Sequence, residues 1–125
     1  EYFFSKIFEN DLVDIICYRG TTNSIKNTLK KYDVVTDFSL SQSFGMTYIE
    51  GILNGKMVYC MRTIGALEVL NEIPSCYIDS FEELVNKICH LPDITLSELQ
   101  HNYMLIAKKY SRDAVTQRFL DAFSL

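Results

Sequence analysis

Four short runs of strand-forming residues set the pattern of this chain: residues 12–18 (LVDIICY), 34–38 (VVTDF), 57–61 (MVYCM) and 76–78 (CYI). All are rich in β-branched, aromatic or other apolar side chains and of strand length. Ile25 and Leu29 stand one helical turn apart between the first two runs, and Met46, Ile49 and Leu53 form a stripe between the second and third. Strand, helix, strand in alternation predicts a parallel sheet. Helices cover both faces of such a sheet, which accounts for strands that are nearly continuous in apolar character rather than cleanly alternating. The predicted fold class is therefore α/β, with residues 1–10 forming a further helix that leads into the first strand.

The last third of the chain reads as helices. Ser80 and Glu83 form a capping box ahead of the stripe Phe81, Leu84, Val85 and Ile88, and Pro92 ends that helix. Thr95 and Glu98 form a second box, opening a helix whose buried side is expected to be Leu96, Leu99, Tyr103, Ile106 and Tyr110. Ser111 can cap a last helix running through Val115, Phe119 and Phe123.

With 125 residues, 48% hydrophobic and 22% charged, the chain has the balance of one domain able to bury a core. A net charge of −4 disfavours a nucleic-acid or anionic-membrane partner, either of which selects a basic face. Nothing approaches the roughly 20 consecutive apolar residues of a membrane span, and no basic amphipathic helix offers an anchor. The first residue, Glu1, suggests an excerpt with residues missing upstream. Cys17, Cys60, Cys76 and Cys89 lie far apart, mostly in apolar segments, and are expected to be buried, reduced thiols rather than a zinc set. His90 and His101 are separated by Pro92, which disfavours a shared metal face.

In an open parallel sheet, ligands bind beyond the C-terminal ends of the strands. Two segments qualify, residues 39–45 and residues 62–65. A helix starting near Gly45 offers unpaired N–H groups from Phe44, Gly45, Met46 and Thr47 together with the positive end of its dipole, which suits an anion. Gly45 would allow a phosphate close to the backbone, and Thr47 adds a hydroxyl. Every strand-helix unit has such a helix start, so this signal is weak by itself. Glu50 is more specific: it flanks the apolar stripe, and a half-buried carboxylate there needs donors. A pair of sugar hydroxyls could supply them, as could a lysine or backbone amides. Gly51, inside the same helix, costs about 1 kcal/mol against alanine and points to close packing on the sheet.

The run Gln42-Ser-Phe-Gly-Met-Thr-Tyr-Ile-Glu50-Gly-Ile-Leu-Asn-Gly-Lys-Met-Val resembles the motif of GT-B fold retaining glycosyltransferases, the group that includes sucrose synthase and glycogen synthase. Members of that group read Glu, a small residue, Phe-Gly, a short spacer, Glu, then a helix ending in Gly before a strand. Downstream, Thr63-Ile-Gly-Ala-Leu-Glu68-Val-Leu is similar to the family's Gly-Gly-x-Pro-Glu-Val-Val segment. Upstream, residues 13–20 resemble a strand ending in Phe-x-Gly, and Tyr32-Asp-Val-Val resembles the Ala-Asp-Val-Phe run before Pro-Ser.

The resemblance implies a Rossmann-like sheet forming the C-terminal, donor-binding half of a GT-B fold, incomplete at its N-terminus. It implies a hexosyltransferase-type enzyme that moves a sugar, with retention, from a nucleoside-diphosphate sugar to a glycan, lipid or protein acceptor. The acceptor would be held by an absent N-terminal domain, so that the excerpt alone is inactive. It further implies ribose at Glu50, diphosphate at Met46 and Thr47, and donor sugar at Gln42, Phe44 and Gly45. No metal and no cofactor is expected, and the location is expected to be cytoplasmic, with peripheral membrane attachment open to the full-length protein. Gln42 stands where the family has glutamate, and an amide carries no charge to stabilise an oxocarbenium-like transition state. That departure, with Ile64 in place of the first glycine of the Gly-Gly pair, motivates an alternative: a non-catalytic, glycosyltransferase-like partner or chaperone of an active transferase. A dinucleotide-binding domain is a weaker reading, because no GxGxxG turn follows any strand.

Overall fold

The computed structural model describes residues 5, 8–11, 13–41 and 43–123. Ser5, Phe8 and Glu9 are helical, in keeping with the expected first helix, whose other residues up to Ile7 lie outside those described. The elements that follow are α1 (Ile25–Leu29), β1 (Val34–Asp37), α2 (Met46–Leu53), β2 (Met57–Cys60) and α3 (Ile64–Val69). A 3-10 turn at Pro74–Cys76 then leads to α4 (Phe81–Cys89), a second 3-10 turn at Leu91–Asp93, α5 (Leu96–Tyr110) and α6 (Arg112–Phe123).

The expected alternation holds at the centre of the chain. β1 and β2 pair in parallel with Val34 opposite Met57 and Asp37 opposite Cys60, and α2 makes the crossover between them. The expected strand at residues 76–78 is reduced to a single parallel bridge from Tyr77 to Cys60, supported by the Ile78 amide donating to the Cys60 carbonyl at 3.0 Å. The sheet is α/β in character and two strands wide, with that bridge extending the β2 side.

β2 is buried along its whole length because it is covered on both faces. Val58 and Cys60 face a cluster with Tyr48, Ile49 and Ile52 of α2, Ala66 and Val69 of α3, and Ile106 of α5. Met57 and Tyr59 face a smaller one with Ile78 and Leu84. α2 lies against the sheet because Gly51 has no side chain: a Cβ there would sit 2.8 Å from Val58 Cγ2 and 3.3 Å from Val35 Cγ2. The close packing expected of this glycine is therefore present.

Local capping signals are realised. Ser80 Oγ accepts from the Glu83 amide at 3.1 Å, while the Glu83 carboxylate reaches back to the Asp79 amide at 2.8 Å, one residue before the cap. Thr95 and Glu98 form the full reciprocal box. Ser111 accepts from the Ala114 amide at the start of α6. The helix carrying His90 stops at Cys89, ahead of Pro92.

Several expectations about faces are corrected. Residues 13–18 are turn and coil rather than strand, with Val13, Ile15 and Tyr18 exposed. The reason is the absence of cover: α1 is five residues long and buries none of them, so no helix among those described shields a strand on that side. In α2 the expected stripe holds at Ile49, which is buried, and at Leu53, which packs partly buried against the core, while Met46 is exposed and Tyr48, Gly51 and Ile52 complete the inner face. In α4 only Leu84 is buried, and Phe81, Val85 and Ile88 are exposed. In α5 Ile106 is buried as expected and Leu99 and Tyr110 pack partly buried against the core, but Leu96 and Tyr103 are exposed and Asn102 is buried instead, where the helix packs on α2. α6 buries none of its residues. Of the four cysteines, all free, Cys60 and Cys76 are buried as expected, but Cys17 and Cys89 are exposed. Among the described residues, no helix is long and apolar enough to cross a membrane.

Candidate functional site

Parallel pairing brings the ends of β1 and β2 side by side, so the segments after Asp37 and after Cys60 share one edge. α2 starts there. Its N-cap is Gly45, in the left-handed region at φ 81° and without a side-chain cap bond. A Cβ at this position would fall 2.4 Å from Cδ2 of Tyr48. Glycine is thus required twice over, by its backbone conformation and by the tyrosine ring that fills the space above it. This gives Gly45 a structural reason beside the phosphate reading, and the residue is itself buried.

The other expected site residues are close in sequence and mixed in exposure. Phe44, Met46 and Thr47 are exposed at the helix start. Phe44 packs edge-on against Tyr110 of α5, with ring centroids 5.9 Å apart. Glu50 is half-buried, and its carboxylate has no hydrogen-bond or ion-pair partner among the described residues. Of the two kinds of partner left open for it, a lysine or backbone amide is not found among the described residues. Gln42 lies outside the described residues.

A polar node at the same edge was not foreseen from the sequence. Tyr48, fully buried, donates its hydroxyl to Asp37 Oδ2 at 3.1 Å, and the Ser39 amide donates to Asp37 Oδ1 at 2.8 Å. The Thr63 hydroxyl also meets the Tyr48 hydroxyl. Thr63 Oγ1 in turn accepts from the Ala66 amide at 3.2 Å, capping α3. Burial alone would raise the Asp37 pKa, but the hydrogen bonds from Ser39 and Tyr48 outweigh it and hold the carboxyl below its usual value. Tyr48 is pushed the opposite way, chiefly by burial, with the Asp37 charge adding to the shift. Its phenol stays protonated and serves as a fixed donor. The node joins β1, α2 and the start of α3 at the strand edge. A polar residue closing a strand (Asp37) with a tyrosine in the first turn of the next helix was the available signal.

Arg62 follows β2. Its guanidinium is used within the fold, paired with Asp79 at 3.1 Å and lying 4.7 Å from the centroid of the Tyr77 ring. It therefore orders the segment that carries the Tyr77 bridge.

A separate cleft of about 610 Å³ runs along the opposite face of β2, between α4, α5 and residues 72–75, lined by Met57, Tyr59, Lys87 and Asn102 among others. None of Phe44, Gly45, Met46, Thr47 or Glu50 lines it. Among the described residues no group of three or more His, Cys, Asp or Glu side chains is arranged to hold a metal ion.

No family model matches the chain, and no significant match is found among curated proteins or solved structures.

Proposed function

We propose that this chain is the donor-binding domain of a retaining glycosyltransferase of GT-B type, with a Rossmann-like sheet, acting on a nucleoside-diphosphate sugar and a glycan, lipid or protein acceptor. The observation that carries the reading is Glu50, a half-buried carboxylate without a partner among the described residues, one turn inside a helix that starts at the C-terminal edge of a parallel sheet. A carboxylate so placed calls for donors, and the paired hydroxyls of a ribose fit that need. The resemblance of the sequence from Gln42 onward adds the roles of its neighbours: diphosphate at Met46 and Thr47, and sugar at Gln42, Phe44 and Gly45.

In this reading the residues bind and orient rather than exchange protons. Exposed N–H groups at the start of α2 and the Thr47 hydroxyl stabilise the charge that grows on the departing diphosphate. Glu50 fixes the nucleoside and so places the sugar-phosphate bond. The Asp37–Tyr48–Thr63 node keeps the helix start in register with both strands.

Titration of the protein with nucleoside diphosphates, followed by calorimetry, tests the proposal. Saturable binding that weakens roughly tenfold or more in Glu50→Ala is expected, from loss of hydrogen bonds to a charged group; an absence of binding by every nucleotide tried sinks it. The glutamine at position 42 favours a second reading, a non-catalytic partner of an active transferase. In the full-length protein, binding without turnover, with transfer gained in Gln42→Glu, would select that second reading.

A further inference from the structure

The cleft on the opposite face of β2 contains an unmatched polar group. Asn102 is 9% exposed, and its carboxamide has no hydrogen-bond partner among the described residues; the Tyr59 phenol, 3% exposed, lines the same cleft. Among the described residues no fully buried side-chain polar atom lacks a partner, so the polar atoms of Asn102 keep some accessible surface, and the cleft is what the residue lines. A carboxamide at this depth loses most of its hydration, and a ligand that restores both its donor and its acceptor would be held there.

The surrounding charges narrow the ligand. Lys87, the one Lys or Arg lining the cleft among the described residues, is fully engaged, donating to the carbonyls of Ser75 at 2.8 Å and Tyr77 at 2.9 Å and pairing with Glu83 at 3.4 Å. Among the described residues an anion would find no free Lys or Arg in the lining and would face the carboxylates of Glu72 and Glu98. Glu98 is itself bound through Oε2 to the Thr95 amide at 2.7 Å and to the Thr95 hydroxyl at 3.0 Å, which fixes its carboxylate at the cleft rim. Among the described residues no ligand cluster offers a metal ion a site there. Apolar walls come from Met57, Ile73 and Ile94, and His101, its imidazole without a partner among the described residues, directly precedes Asn102 on α5.

From this arrangement we infer that the cleft binds a small uncharged molecule presenting a donor next to an acceptor on an apolar body, the chemistry of a primary carboxamide or of the amino edge of a purine. Asparagine meets such an edge in two parallel hydrogen bonds. The volume is within the range of small-molecule sites. This inference does not rest on the nucleotide-sugar reading, since the cleft shares no residue with that site.

Nicotinamide and adenine, added separately to isotope-labelled protein, test it by chemical-shift mapping. Saturable shifts of the Asn102 side-chain amide and of His101 are expected with at least one of them, and the responding probe distinguishes the carboxamide source from the purine. Asn102→Leu, close in volume, should weaken that binding roughly tenfold or more. If that variant does not fold, His101→Ala, at an exposed position, should weaken it by a smaller factor. The inference is overturned by an absence of saturable shifts with both probes, by shifts confined to residues 44–50, or by affinity unchanged in the folded variants.

Discussion

Residues 13–18 and Met57–Cys60 are close in character and opposite in outcome. VDIICY and MVYC are both apolar runs that read as interior strands, yet the second is buried at every position while the first exposes Val13, Ile15 and Tyr18. The difference lies outside the runs. β2 has a parallel neighbour, α2 and α3 on one face, and α4 with the Leu91–Asp93 turn near the other. Residues 13–18 are followed by a five-residue helix that buries nothing. Strand character is a condition for burial, and partners on both faces complete it.

Truncation should expose this contrast most strongly. Ile78→Ala, removing a fully buried side chain from the face shared with Met57 and Tyr59, is expected to cost about 2–5 kcal/mol in urea denaturation. Ile15→Ala should stay within about 0.5 kcal/mol. Comparable losses at the two sites would show that residues 13–18 are packed as β2 is, and would break the comparison.

Thiol chemistry sharpens it at lower amplitude. Cys17 and Cys89 should react with a maleimide in the native protein, and Cys60 and Cys76 only after opening. Burial drives the thiol of Cys60 up to about 11 and that of Cys76 up to about 12. Thiols of the unfolded chain ionise at about 8.5, so folding retains these protons. The associated stability is complete below that pH and is lost as the pH rises through the folded values. Melting temperature should fall above about pH 9, less steeply in a Cys60→Ala, Cys76→Ala double variant; an unchanged slope would show that these thiols are not the source.

The smallest effect is expected at the strand edge. Tyr48→Phe removes one donor from Asp37, at a cost of about 1 kcal/mol. Asp37 has a lowered pKa, so its contribution is present above the unfolded carboxyl value and lost as the pH falls through the folded one. The variant should move the Asp37 titration upward by NMR, and an unmoved titration would assign its lowering to Ser39 alone.

These contrasts also mark what the sequence discloses. Capping pairs such as Thr95 with Glu98 act within one turn, and β1, α2 and β2 are adjacent in the chain, so both kinds of feature were readable from local pattern. The inner faces of α4 and α5 were not, because each helix has apolar residues around more than one side and only its neighbours decide which are covered. Asn102 inside and Leu96 outside illustrate this. At the candidate site the placement of Gly45 and Glu50 at and near the start of α2 was legible. The bond between Tyr48 and Asp37 was hidden because it spans eleven positions and depends on the crossover being made.

The contact at Gly51 bears on how this sequence can drift. With Val58 Cγ2 2.8 Å from the site of a Cβ, positions 51 and 58 share a single allotment of volume, and Val35 borders it. A side chain gained at 51 must be matched by one lost at 58 or 35 if the helix is to keep its distance from the sheet. Among variants that retain the fold, these three positions should therefore co-vary, a pairing detectable by counting substitutions in a selected library without measuring any function.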